Sequence, residues 1–207
     1  MSFTTTTARL SIIALGLGLG ACATEVDGEE EDITTQGGVE QRTGMNRFAD
    51  FSPIPNTEAE VERGQKNHSV EVDTDELIAG HVVVFEYIVY NAPENCTNPT
   101  PWGRCSVPDS MNPATESSAI WVKGKVIGSS GEWDTGERTI GMGVSGAPGE
   151  VAWGPGITDV RGSEAHFLMF DKGKPISGRL TEQLNTFQGG CDVRACQPYQ
   201  FGIVPAL

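Results

Sequence analysis

His81-Val-Val-Val-Phe-Glu-Tyr-Ile-Val-Tyr90 decides the fold. The stretch is dense in β-branched and aromatic residues, which suit an extended, pleated backbone better than a helix. Side chains alternate across a strand, so Val83, Phe85, Tyr87 and Val89 share one face and Val82, Val84, Ile88 and Tyr90 the other. Both sets are apolar, which predicts a central strand covered on two sides. Glu86 is the exception on the second face. A buried carboxylate is costly unless paired or neutralised, so Glu86 needs a partner, for which Arg138, Arg161 or a histidine are the candidates.

Outward from that strand the pattern stays β. Ser118–Ile127 reads as a strand with Ile120, Val122 and Val126 on one face and Lys123 and Lys125 on the other. Ser69–Asp73, Arg138–Val144, Glu164–Phe170 and Tyr199–Val204 are further candidates, separated by glycine and proline clusters such as Gly154-Pro155-Gly156. Leu180–Phe187 alone has a helical look, for about two turns. Many short strands between such turns predict an all-β fold, a single antiparallel β-sandwich or barrel-like domain with one short helix, over residues 66–207.

The amino terminus reads as an export signal. A weakly basic start with Arg9 leads into an apolar run, Leu10–Gly20, too short for the roughly 20 residues of a spanning helix. It closes on Leu19-Gly20-Ala21-Cys22, the form of a bacterial lipobox. Residues 1–21 are then a lipoprotein signal peptide, and Cys22 is the lipidated first residue of the mature chain. Two or more acyl chains, each worth about 0.8 kcal/mol per buried methylene, hold such a protein on a membrane. Ala23 stands where aspartate commonly marks inner-membrane retention, so the expected address is the outer membrane, facing the periplasm or the surface.

Acidity is concentrated next to that anchor. Residues 22–62 hold eleven acids and two bases, most of the net charge of −14. A block such as Glu29-Glu30-Glu31-Asp32 repels itself, and residues 22–65 read as a disordered tether, with Phe48, Phe51 and Ile54 available to dock. So acidic a chain is a poor partner for nucleic acid or anionic lipid. With Cys22 lipidated, Cys96, Cys105, Cys191 and Cys196 remain, an even number in an exported domain. Of three pairings, the two local ones, Cys96–Cys105 and Cys191–Cys196, are favoured because both pairs flank turn-rich loops. Their spacings are not those of a zinc knuckle.

The segments Ala79-Gly80-His81, Asn91-Ala-Pro-Glu-Asn-Cys96, Gly162-Ser-Glu-Ala-His166 and Glu182-Gln-Leu-Asn-Thr-Phe-Gln-Gly-Gly-Cys191 resemble a family of uncharacterised exported bacterial β-rich proteins. The resemblance covers about residues 68–204. It implies one compact β-rich domain with a cysteine pair near its end, and no reaction. The chain departs from the family pattern after His166, where Phe-Leu-Met-Phe-Asp replaces a basic stretch, so an anion-binding role does not carry over.

Candidate chemistry rests on His68, His81, His166, Glu86 and Glu164. Glu164 and His166 share a strand face, and convergence with His81 and Glu86 would make a metal or acid/base cluster. The bland reading puts His81 at a turn and His166 on a loop carbonyl, and the scattered histidines lack metal-ligand spacing. Gly141-Met-Gly143-Val-Ser-Gly146 matches a dinucleotide fingerprint, but Ala-Pro-Gly follows where a helix should begin. Gly143-Val-Ser145-Gly-Ala147 lacks the last glycine of a nucleophile elbow. Asp73-Thr-Asp75-Glu76 lacks the glycine and distal glutamate of a calcium loop. Trp102, Trp133 and Trp153 sit in turn-rich segments, from which they would present rings to an envelope glycan or a protein, or fold back on the core. The expectation is a lipid-anchored, non-catalytic binding or structural module without a cofactor. The alternative is a small metal-dependent enzyme or redox protein using His81, His166 and Glu86 or Glu164.

Overall fold

The computed structural model describes residues 38–144, 149–187, 189–191 and 196–207. The signal segment, Cys22 and the first part of the expected tether lie outside the described residues, as do Ser145 and Gly146 of the two glycine motifs. The fold is a sandwich of two antiparallel sheets. One has the order β1 (Val39–Thr43), β3 (Glu58–Arg63), β4 (Asn67–Thr74), β7 (Trp133–Asp134), with β8 (Arg138–Gly141) also pairing along β4. The other runs β2 (Asn46–Arg47), β11 (Gln197–Val204), β10 (Glu164–Asp171), β5 (Val82–Tyr90), β6 (Ser117–Val126), β9 (Val151–Trp153). One short helix, α1 (Leu180–Asn185), packs against β5 and β6. Among the described residues no helix is long and apolar enough to cross a membrane.

β5 is the central strand, and every one of its residues is buried. Val83, Phe85, Tyr87 and Val89 meet Val61, Val70 and Val72 of the opposing sheet in the main core. Ile88 and Tyr90, on the reverse face, join a second apolar cluster with Leu168, Phe201 and Ile203. That reverse face is covered by the loop over residues 91–116 and by α1. Both expected disulfides are present, Cys96–Cys105 with S–S 2.04 Å and Cys191–Cys196.

Two sequence expectations are corrected. Residues 38–65 are not a disordered tether, because β1, β2 and β3 lie within them and complete both sheets. In Glu58-Ala-Glu-Val-Glu-Arg63 the alternation buries Ala59, Val61 and Arg63 and turns the acids outward. Arg42, from the neighbouring strand, bridges Glu40, Glu58 and Glu60 at 2.6, 2.9 and 2.9 Å. An amphipathic strand with its charges on one face is stable where the same composition in a coil is not. In β6 a bulge opposite Phe85 and Glu86 breaks the expected alternation. Ile120 and Val122 stay in the core, but Val126 turns out to solvent, and Lys125 crosses to stand 6.0 Å over the Trp133 ring.

Candidate functional site

The reverse face of the six-stranded sheet carries a cavity of about 230 Å³. Its floor is His166 and Leu168 of β10 with Phe201 and Ile203 of β11. Antiparallel pairing sets His166 directly opposite Ile203 and Leu168 opposite Phe201. Its walls come from two loops. Phe48 and Phe51 follow β2; Thr100, Trp102 and Val107 belong to the segment around the Cys96–Cys105 bridge.

The aromatic walls contact one another, edge to face against Phe201 and tilted between Phe51 and Trp102. Trp102 and Phe48 meet Phe201 at 5.1 and 6.1 Å between centroids, and Phe51 lies 5.8 Å from Trp102. Phe51 is 54% exposed and has φ of +60°, a left-handed backbone that costs a bulky residue roughly 1–3 kcal/mol. The turn holding it there is pinned by Arg47, which donates to Glu76 at 2.8 Å, to Ser52 Oγ at 2.8 Å and to the Pro53 carbonyl at 3.0 Å.

Asp109 organises the opposite wall. Its carboxylate accepts from the backbone N–H of Thr97 and Ser106, both at 2.9 Å, and from Asn98 Nδ2 at 2.9 Å. Burial pushes this carboxyl up, but those donors prevail and hold it down at about 2. Thr100 Oγ1 accepts from the N–H of Gly103 at 3.0 Å, which shapes the turn presenting Trp102. Gly103 must be glycine: a Cβ there would lie 2.6 Å from Ile203 Cγ2 and 2.7 Å from Glu164 Oε1.

At the cavity floor, Glu164 and His166 are paired. Glu164 is fully buried and accepts from the N–H of Arg104 at 2.6 Å, the N–H of Cys105 at 2.8 Å and His166 Nε2 at 2.7 Å. Burial raises its pKa, yet His166 and the two amides together outweigh that and keep it below the usual carboxylate range. An ionised carboxylate is acceptor only, so Nε2 of His166 is the donor. The Tyr90 ring tilts against the imidazole at 4.9 Å and is anchored by its hydroxyl, which donates to the Ser106 carbonyl at 2.8 Å. Nδ1 of His166 has no hydrogen-bond partner among the described residues. Nor is it sealed from solvent, since the single buried polar side-chain atom without a partner there is Glu86 Oε1. Nδ1 is therefore the accessible ring nitrogen of a histidine that lines the cavity.

The other candidates do not join this site. His81 bonds through Nδ1 to both oxygens of Asp171, at 3.0 and 2.9 Å. His166 pairs with Ile88, seven residues along β5 from His81, which separates the two by roughly 20 Å at strand rise. His68 is fully buried between the sheets: Nε2 donates to the Val160 carbonyl at 2.7 Å, so Nδ1 accepts from the Tyr87 hydroxyl at 2.8 Å. Burial pushes its pKa down to about 4, against the hydrogen bond to the Val160 carbonyl, which favours the protonated ring. Glu86 faces Lys172, not Arg138, Arg161 or a histidine. Burial pushes its carboxyl well up, with Lys172 opposing. Lys172 is itself lowered to about 8 by burial, against the pull of Glu86. Its ammonium donates to the carbonyls of Thr186 and, at 3.2 Å, Gly189, just past α1. Among the described residues no three of the histidines, cysteines and acids stand where they could hold a metal ion.

The tryptophans divide. Trp102 lines the cavity, and Trp153 lines another opening with Met111 and Pro155. Trp133 takes the second of the two expected roles and folds back into the core, 1% exposed, because β7 pairs with β4 and turns the indole between the sheets. Sequence reasoning passed over Asp109, Tyr90, Gly103 and Phe201; only Phe48 and Phe51, isolated apolar residues in an acidic run, left a signal. Comparison of the chain with family models, curated proteins and solved structures finds no match.

Proposed function

We propose that this chain is a lipid-anchored protein of the bacterial envelope, attached through Cys22 in the outer membrane, whose domain is a non-catalytic binding module. The lipobox supports the anchor, and two disulfides suit an oxidising compartment. The binding role is carried by one observation, the aromatic cavity with a single open imidazole nitrogen on its floor. Concave, mostly apolar sites with few polar groups are where small ligands and partner side chains seat. Its polar lining is limited to Thr100, Ser106 and His166, which suits an apolar group better than the many hydroxyls of a glycan. Ethylbenzene, a ring without polar atoms, should shift the NMR resonances of Phe48, Trp102 and Phe201 in the full-length protein. Absence of any shift at saturation with both this probe and its hydroxylated analogue 4-ethylphenol would end the binding reading. Mass spectrometry of material from a bacterial membrane tests the anchor, which an unmodified Cys22 would refute.

The Glu164–His166 pair also supports a second reading, an enzyme with a carboxylate-oriented general base. Ser106 lines the same cavity, but its hydroxyl donates to Asp109 at 3.2 Å instead of to His166. Ester turnover lost on His166→Ala would favour the enzyme.

A further inference from the structure

We infer that the cavity takes a neutral ring compound carrying one hydroxyl, with the ring between Phe51, Trp102 and Phe201 and the hydroxyl donating to His166 Nδ1. This rests on the binding reading above and names the ligand class.

Glu164 fixes which nitrogen of His166 carries the proton. Two backbone amides and the imidazole fill its oxygens, and as an acceptor it commits the Nε2 proton of His166 to itself. In the neutral ring the other nitrogen then carries a lone pair. His166 is 6% exposed, so that lone pair meets little water and gains from any donor that reaches it. A hydroxyl on the ligand supplies that donor at the floor.

Size and charge narrow the class. An apolar cavity of about 150 Å³ is enough for benzene, and this one, at about 230 Å³, leaves room for one ring with a short substituent. Its walls are flat rings, set edge to face or tilted against one another, which suit a planar or chair-shaped guest. A carboxylate or phosphate would put a second negative charge beside the buried Glu164, and no lysine or arginine lines the cavity to offset it. An ammonium has no acid among those lining residues. Neutral compounds remain.

The test compares 4-ethylphenol with ethylbenzene, which share a ring and an ethyl group, on the full-length protein at pH 8. We expect 4-ethylphenol to bind at least tenfold tighter by tryptophan quenching and NMR titration, and His166→Phe to abolish that preference. In the unmutated protein, long-range ¹H–¹⁵N spectra of the histidine rings should show the Nδ1 resonance of His166 moving with 4-ethylphenol and not with ethylbenzene. Equal affinities would overturn the hydroxyl inference while leaving the binding cavity in place. Failure of both probes on folded protein would overturn the binding reading as well. Tighter binding of 4-ethylbenzoate than of 4-ethylphenol would overturn the neutral-ligand inference.

Discussion

At the scale of single residues, His68 is a buried histidine with a structural job. Its folded pKa of about 4 lies below the ordinary 6.5. Below pH 6.5 the unfolded chain binds a proton that the folded chain refuses, so stability falls from there to about pH 4, by up to about 3 kcal/mol. Denaturant midpoints of His68→Gln should fall less steeply than the parent's over that window, whatever its stability at pH 8. Glu86 has the opposite sign. Its folded pKa is raised, so the folded chain holds the proton longer and loses stability as pH climbs above about 4.5. In denaturant titration Glu86→Gln should match the parent near pH 4 and exceed it at pH 7. The sequence marked Glu86 as needing a partner, since one carboxylate in an apolar strand is visible by inspection. That the charge opposing it comes from Lys172 depends on where the chain past β10 runs, which no local pattern encodes.

At the scale of elements, the loop over residues 91–116 is the piece that makes a cavity out of a sheet face. Without regular strands, it is held by the Cys96–Cys105 bridge and by the Asp109 carboxylate. Closing a loop this short stabilises by about 2–3 kcal/mol in the chain-entropy model. The double variant Cys96→Ser with Cys105→Ser should lower stability by that order in denaturant titration and weaken ethylbenzene binding with it. Asp109→Ala leaves the amides of Thr97 and Ser106 without their acceptor, and should cost about 1–3 kcal/mol. If either change spared both stability and probe binding, the wall would not be what shapes the cavity. The bridge was readable from cysteine spacing and turn residues, whereas Asp109 looks in sequence like any acid in a loop. At the other end of the same face, Gly124 lets α1 lie close on β6, because a Cβ there would collide with the Leu184 backbone.

On the scale of the whole molecule, the boundary of the domain is the main revision. Composition placed it near residue 66, but the strands before that point supply an edge to each sheet. Arg63 shows how deeply they are tied in: fully buried, it donates to Gln41 Oε1 at 2.7 Å, to the Val160 carbonyl at 3.1 Å and to the Pro205 carbonyl at 3.1 Å. A chain beginning at residue 66 should fail to show cooperative thermal unfolding by circular dichroism, while one beginning at residue 38 should unfold cooperatively.

What the sequence determined alone was whatever depends on neighbours along the chain. The β class, the doubly covered strand 82–90 and the two short disulfide loops follow from period-two alternation and from loop closure over a few residues. The tertiary structure decided what depends on register between distant segments. It brought Phe48 and Phe51 from an acidic stretch, Trp102 from a disulfide loop and Phe201 from the last strand around His166, and it kept His81 and Glu86 away. Antiparallel pairing sets those meetings residue by residue, and a shift of one residue would turn His166 to the opposite face.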